Sequence, residues 1–567
     1  MFNSQARYLY NLFKIIFRVI TLLISLPWLI LFFLNIFEIS RIIPSSLYLD
    51  INNPWMRLLT NTLFFGTIWS VLGFLYLISE IILKKKCMKL YANECKEIID
   101  STVLPKNLPK VLYIYTTHND LIESRVLQNM KQTYKNFEVW VSDGSSNKEW
   151  RKKIKDFCTK NKINLYQLES EASKNKSDNI NQFLKNYKGD YDYLLIGDAD
   201  EVFHENFVEY SIKIFLSNKI KNLSYIAPLN INYRSKGIYP NTTRLLETFI
   251  FYWILFARCF TQSSIPPLSG QSCLISKQSL IECNHEEKFD DGNLEDWYLE
   301  SEMVEKINYG IMLPNAPCYF EPDVNVKAHF NRIMRINDWR IRWWKIRPKS
   351  IIKNYSEKYS NWYQTYLTHL TTPIIIFLSL FIFSITVWLI SNYWDYAFKN
   401  NTLFWISVGT NVGLGLILLT INLTLNFVIT KKLIFNFWDN LLFPLIFILW
   451  SFASNIKVCI HWFNSLFLGK YSQFGGSGKS RFFKGKSGIH KWWISLFIFS
   501  LILLSFNLPM FLLTDWEKFR LLIIIFNVYI GSLWLGVFSY LILWYINFIP
   551  YNSSFKREDW IKTKDIF

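Results

Sequence analysis

Long apolar runs stand on both sides of one long polar stretch, and this pattern limits the chain more than any other feature. A bilayer core of about 30 Å takes roughly 20 apolar residues as a helix. Residues 19–37 form an uncharged run of that kind, too long and too poorly flanked by small residues for a cleaved signal peptide. Residues 58–79 form a second, closed by Lys84-Lys85-Lys86, and further runs lie at about 372–391, 403–430, 492–513 and 521–549. Residues 84–371 contain none. The pattern predicts a membrane protein with a large polar domain inserted between its spans.

Composition agrees. Hydrophobic residues make up 51% of the chain, aromatic 18% and charged 19%, and the mean hydropathy is +0.13. These values exclude a disordered chain, a coiled coil and an ordinary cytosolic enzyme. The net charge, 62 − 44 = +18, suits basic cytoplasmic loops, anionic lipid heads or an anionic substrate. Nucleic acid has no motif behind it.

Segment 435–469 is ambiguous: Asp439 and Lys457 bracket a weaker apolar stretch containing Pro444. It reads as a short span, a re-entrant hairpin or an interfacial helix. The next stretch carries Lys470, Lys479, Arg481, Lys484, Lys486 and Lys491, and positive-inside bias puts it in the cytoplasm. The expectation is then six spans in the cell membrane, with both termini and the central domain inside. The outer loops, about 38–57, 392–402 and 514–520, are poor in Lys and Arg. None of the eight cysteines forms a C-x-x-C pair or falls in those outer loops, so reduced structural thiols are expected.

Within the central domain, residues 111–115, 137–141, 163–167, 191–196 and 223–228 read as buried strands separated by polar helical stretches. Such alternation predicts a mainly parallel sheet with helices on both faces, whose ligand sits at the carboxyl ends of the strands. Polar motifs do follow the strands: Thr116-Thr117-His118-Asn119-Asp120, then Ser142-Asp143-Gly144-Ser145, then Gly197-Asp198-Ala199-Asp200. Asp143 can accept from a base N–H or merely cap a turn. Two carboxylates two residues apart at a strand end can hold a hard divalent cation through oxygen, and Mg²⁺ or Mn²⁺ so held bridges a pyrophosphate. Pro267-Leu268-Ser269-Gly270 is a turn entering a small-residue strand. Leu294-Glu295-Asp296-Trp297 opens a helical stretch to about Tyr309, where Asp296 is either a cap or a general base. In Trp339-Arg340-Ile341-Arg342-Trp343, Arg342 suits a diphosphate and Trp343 a sugar ring, although a basic amphipathic helix at the membrane surface explains the same residues.

The order of Q-T-Y (132–134), VSDGS (141–145), NKSDNIN (175–181), DAD (198–200), LED (294–296) and WRIRW (339–343) resembles the processive membrane glycosyltransferases of family 2: the cellulose, chitin and hyaluronan synthases. The resemblance covers about residues 58–550. It implies a GT-A-type α/β nucleotide-sugar domain inserted between about six transmembrane helices, with interfacial helices besides. The implied layout is two N-terminal spans (1–83), a cytoplasmic catalytic domain (84–345), an interfacial region (346–371), a channel region (372–550) containing 435–469 and a gating loop at 470–491, and a cytoplasmic tail (551–567).

By the same resemblance Thr117, His118, Asn119, Asp143, Lys176, Asp198 and Arg342 contact the nucleotide-sugar, and Asp198 and Asp200 hold the metal. Asp296 is the base, Gly270 and Trp343 face the acceptor, and Phe474, Ser477 and Lys479 belong to the gating loop. The implied partners are a UDP-sugar, a growing glycan and the lipid bilayer. The implied reaction is inverting polymerisation of a β-linked polysaccharide with translocation. Ser142, Leu294 and Trp339 depart from the family's Asp, Thr and Gln. The last departure keeps open a transferase that adds one sugar to a lipid or lipid-linked acceptor. A non-enzymatic membrane protein with a degenerate domain is the third reading. Phe474-Gly475-Gly476-Ser477-Gly478-Lys479 is not a P-loop, because position 473 is Gln where the pattern needs Gly.

Overall fold

The computed structural model describes residues 54–168, 176–198, 201–232, 273–283, 309–320 and 516–546, most of 5–20, and isolated positions elsewhere. The apolar runs 19–37, 372–391, 403–430 and 492–513, segment 435–469 and the loop 470–491 fall, apart from isolated positions, outside the described residues. Among the described residues one helix, Ile524–Leu543, is long and apolar enough to cross a membrane. It lies in the helix Trp516–Ile546, within the last of the expected runs.

The second run, 58–79, does not end where its apolar character ends. It is the first half of one helix, α2 (Pro54–Ser101, 48 residues). Pro54 takes the first helical position, where its missing N–H costs nothing, and no proline follows to break the helix. At 1.5 Å per residue the helix is about 72 Å long. A short helix, α1 (Tyr8–Phe17), lies antiparallel beside it. Gln5 N donates to Glu94 Oε1 at 2.8 Å, Tyr10 Oη to Glu80 Oε1 at 3.0 Å, and the rings of Phe17 and Tyr76 are 4.2 Å apart. The far half of α2 buries Cys87, Met88, Tyr91, Cys95, Ile98 and Ile99. Their three- and four-residue spacing puts one helical stripe into the core of the sheet domain.

That domain is an eight-stranded sheet in the order β3-β2-β1-β4-β7-β6-β8-β5. Its strands are β1 (Val111–Thr117), β2 (Phe137–Asp143), β3 (Asn164–Gln167), β4 (Tyr193–Gly197), β5 (Val202–Phe203), β6 (Leu223–Asn232), β7 (Cys273–Ser276) and β8 (Tyr309–Phe320). Between them run α3 (Glu123–Asn129), α4 (Lys148–Asn161), α5 (Lys176–Asn186), α6 (Phe207–Leu216) and α7 (Lys277–Glu282). The expectation of a mainly parallel sheet holds for β3, β2, β1 and β4. Beyond them it is corrected to a mixed sheet: β7 runs antiparallel to both β4 and β6, and β5 antiparallel to β8, while β6 and β8 are parallel.

The centre is β1, buried along its whole length. Its alternate residues feed two cores, as the two-residue period of a strand requires. Tyr113 and Tyr115 join α2, α4 and α6 on one face; Leu112 and Ile114 join α5 and α7 on the other. Asn147 caps α4 by accepting from Glu149 N and Trp150 N, and Lys162 ends that helix in the left-handed region at φ 55°. The described cysteines are thiols outside any disulfide, and most are buried.

At the amino-terminal edge of the sheet Glu138 gathers three donors: Lys110 Nζ at 2.6 Å, Trp140 Nε1 at 2.7 Å and Tyr187 Oη at 3.0 Å. Burial raises its carboxyl pKa, but these hydrogen bonds outweigh burial and hold it below the ordinary 4.5. A depressed carboxylate adds stability above its unfolded-state pKa and loses it as pH falls through the folded one. Glu138→Gln should therefore lower the thermal midpoint at pH 7, by the equivalent of about 1 kcal/mol for a partly exposed pair. The gap to wild type should close as pH falls below 4.5. Melting curves of both proteins from pH 7 to pH 3 check this; a gap that persists at pH 3 contradicts it.

Candidate active site

The parallel strands β1, β2 and β4 end side by side, and the polar motifs leave from those ends. Thr117 pairs with Asp143 in register, and Gly144 N donates to Thr117 O at 3.0 Å. Thr116 Oγ1 donates to Gly197 O at 3.0 Å, which ties β1 to the last residue of β4. The first loop turns back at Asn119, whose φ of 59° is left-handed; asparagine tolerates that region better than most residues. Asp120 Oδ1 fixes the turn by accepting from Thr117 Oγ1 at 3.1 Å and His118 N at 2.7 Å. Asn119 then bridges to the second loop: its N donates to Ser145 Oγ at 2.9 Å, and its Oδ1 accepts from Asn147 N at 3.1 Å.

Asp143 is fully buried. Its Oδ1 accepts from Ser145 N and its Oδ2 from Gln167 Nε2, each at 2.9 Å. A base N–H can reach it only at a lone pair those donors leave over. Arg151 braces the same loop, donating to Leu168 O at 2.7 Å and Ser145 O at 3.4 Å. Burial first, and the nearby Asp143 charge second, push the Cys158 thiol up to about 12. It therefore stays protonated and is no nucleophile near neutral pH.

Two expected site residues meet directly. Lys176 Nζ, at the first residue of α5, lies 2.6 Å from Asp198 Oδ1, with side-chain exposures of 16% and 35%. Helix α5 is held in place by Asn179, whose Oδ1 accepts from Ser142 Oγ at 2.5 Å and whose Nδ2 donates to Ser142 O at 3.0 Å. On its other side Asp198 is fastened to Glu201: Asp198 N donates to Glu201 Oε2 at 3.0 Å, and Glu201 N to Asp198 O at 3.2 Å. Glu201 is fully buried. Sequence reasoning passed over it; the signal was a carboxylate directly following the Asp-x-Asp.

The Gln132-Thr133-Tyr134 motif does structural work. Gln132 Nε2 donates to His204 O and its Oε1 accepts from Val208 N; Thr133 N donates to Glu205 O; Tyr134 Oη donates to Pro109 O. The first three hold the chain that leaves Asp198, and the last ties the motif to the segment before β1.

The structure thus gathers Thr117, His118, Asn119, Asp143, Lys176 and Asp198 at one edge of the sheet. Asp200, Gly270, Asp296, Arg342, Trp343, Phe474, Ser477 and Lys479 lie outside the described residues. Among the described residues no three His, Cys, Asp or Glu side chains cluster in a way that could hold a metal ion. Asp198, a partly exposed carboxylate at a strand end, has the donor chemistry a hard divalent ion takes.

Residues 111–280 match the family model described as Glycosyl transferase family 2. That segment is a glycosyltransferase domain with a GT-A-like α/β fold. Solved structures that match the chain include S. aureus TarS, at 13% identity and TM-score 0.28, with 54% of each chain covered. TarS 1–349 matches at 14% identity and TM-score 0.30, covering 65% of this chain and 94% of that one. GalNAc-T7 with UDP, GalNAc and Mn²⁺ matches at 15% identity and TM-score 0.28, covering 38% of this chain and 44% of that one. The matched region spans about half of full TarS and less than half of GalNAc-T7.

Gly197 sets how closely this edge packs. A Cβ built there would stand 2.6 Å from Tyr113 Oη and 2.8 Å from its Cε2, and the Tyr113 ring is fully buried. Gly197→Ala should displace that ring at a cost of about 1–3 kcal/mol. The thermal midpoint should fall by several degrees, and an unchanged midpoint would contradict this packing.

Proposed function

We propose that the chain is a membrane-embedded inverting glycosyltransferase that polymerises a β-linked polysaccharide from a UDP-sugar and passes it across the bilayer. The observation that carries the reading is the cluster of Thr117, Asn119, Asp143, Lys176 and Asp198 at the strand ends of a segment matching a glycosyltransferase family. Lys176 and Arg342 bring cationic charge to a diphosphate, Arg342 in the bidentate manner of a guanidinium. The Thr117–Asn119 turn and Asp143 take the nucleoside. Asp198 and Asp200 hold Mg²⁺ or Mn²⁺, which supplies positive charge to the departing diphosphate.

Asp296 accepts the proton of the acceptor hydroxyl as its oxygen bonds to the anomeric carbon. The bond from that carbon to the diphosphate oxygen breaks, and UDP leaves with the electron pair. Attack opposite the leaving group inverts an α-linked donor to a β-linkage. Gly270 and Trp343 place the acceptor, Trp343 by stacking on a sugar ring, and Phe474, Ser477 and Lys479 close over the nucleotide.

The apolar runs flanking the domain and the basic stretch 470–491 support six spans, with the catalytic domain on the cytoplasmic side. The uncharged runs after the domain supply a path for a polymer. Trp339, standing where the related synthases have Gln, favours the second reading: transfer of a single sugar to a lipid-linked acceptor.

A labelled UDP-sugar screen with purified protein, read by product length on a gel, separates polymer from single transfer. Release of no UDP from any donor would sink both readings. Asp198→Asn should leave the thermal midpoint near wild type, since the side chain is partly exposed, and lower transfer by at least about a hundredfold. EDTA should do the same to the wild type, and full activity in EDTA would remove the metal. A cysteine at Lys484 should be labelled only from the cytoplasmic side, and one at Asn401 only from outside. Labelling of position 484 from outside would mean that 435–469 crosses.

A further inference from the structure

Lys176 and Asp198 were each assigned to the donor, one to its phosphates and the other to its metal, yet in the structure they bind one another at 2.6 Å. Both partners are held through their backbones. Asp198 is pinned through its backbone by the reciprocal pair with Glu201. The backbone at Lys176 is fixed because α5 is fastened to β2 through Asn179 and Ser142. The Lys176 ammonium is a compact charge on a flexible four-carbon stem, so it is the side chain here that can reach a second anion without movement of the backbone.

A divalent ion approaching Asp198 therefore meets a carboxylate with one oxygen already engaged by an ammonium group, and it meets the repulsion of that ammonium as well. An incoming diphosphate offers the ammonium another anion close by.

We propose that Lys176 is an internal counter-ion for Asp198, so that divalent-ion binding and diphosphate binding depend on each other through this one side chain. Before the nucleotide arrives, Lys176 neutralises Asp198 and keeps it from taking a metal ion firmly. When the diphosphate draws the ammonium away, both carboxylate oxygens open to the ion. Linkage makes the effect reciprocal: the metal, by displacing Lys176 from Asp198, strengthens the hold on the diphosphate by the same factor. The inference rests on the nucleotide-diphosphate reading of the site.

The test is Mn²⁺ titration of the full chain in nanodiscs, followed by the EPR signal of free Mn²⁺, with and without UDP. Without UDP, Lys176→Met should bind Mn²⁺ roughly tenfold more tightly than wild type, the scale of one charged hydrogen bond. Lys176→Arg should stay near wild type. UDP should tighten Mn²⁺ binding in the wild type and do so by much less in Lys176→Met. Asp198→Asn should weaken Mn²⁺ binding in either background. Lys176→Gln repeats the comparison should methionine lower the thermal midpoint. Equal or weaker Mn²⁺ affinity without the lysine charge overturns the proposal, as does the absence of Mn²⁺ binding in every variant. UDP binding is measured separately in EDTA. Its failure would sink the nucleotide reading, while the Mn²⁺ comparison without UDP still decides what Lys176 does to Asp198.

Discussion

A phenol hydroxyl buried in the middle of a sheet must find a partner, because leaving it unpaired costs about 1–3 kcal/mol. Tyr113 is fully buried on the central strand, and its hydroxyl accepts from Asn129 Nδ2 at 3.2 Å. The same amide donates to Glu201 O at 2.9 Å, and its oxygen accepts from Phe203 N at 3.1 Å. One asparagine therefore links β1, α3 and the segment that follows Asp198. The Tyr113 ring fills the space over Gly197 and stands edge-on to Phe203, 5.2 Å between centroids. The position of Asp198 follows from this knot: its strand ends against the ring, and its neighbour Glu201 is held by the ring's partner.

From that point the site is assembled by short loops with few free torsions. Asn119, Ser145 and Asn147 join the first two loops, Asn179 joins α5 to β2, and Lys176 joins α5 to the end of β4. Each contact links two elements that meet at the carboxyl ends of the parallel strands. Side-chain order at the site thus comes at little further entropic cost, which is the usual advantage of a site built at strand ends.

The strands that could be read from the sequence are the apolar runs, whether buried along their whole length like β1 or only half-buried at the sheet edge like β3. β1, β2, β3, β4 and β6 appear as apolar runs, and observed bounds differ from expected ones by at most four residues. β8 escaped because Pro314, Asn315 and Pro317 interrupt its pattern; the sheet accommodates them through irregular register between β6 and β8. β5 has two residues and gives no period at all. Strand direction was misjudged beyond β4, since hydropathy records burial and not polarity of the chain. At the site, residue types at strand ends named Asp143 and Asp198, and the family resemblance named Lys176. Their chemistry was legible and their contacts were not: positions 176 and 198 carry nothing in sequence that says they touch. Glu201 was not singled out in the sequence and is fully buried.

The 48-residue helix α2 has a mechanical meaning. Its far half is part of the domain core, and its near half is the apolar run 58–79, with no break between the two. A shaft without a joint transmits torque as well as position. Whatever surrounds residues 58–79 therefore fixes not only how far the sheet stands from it but also which way the strand ends point. The domain cannot swivel on this stem as it could on a loop; to reorient it must tilt the whole helix or bend it. Inserting one residue in the shaft would turn the sheet by about 100° relative to the near half, and inserting seven, close to two full turns, would nearly restore its heading.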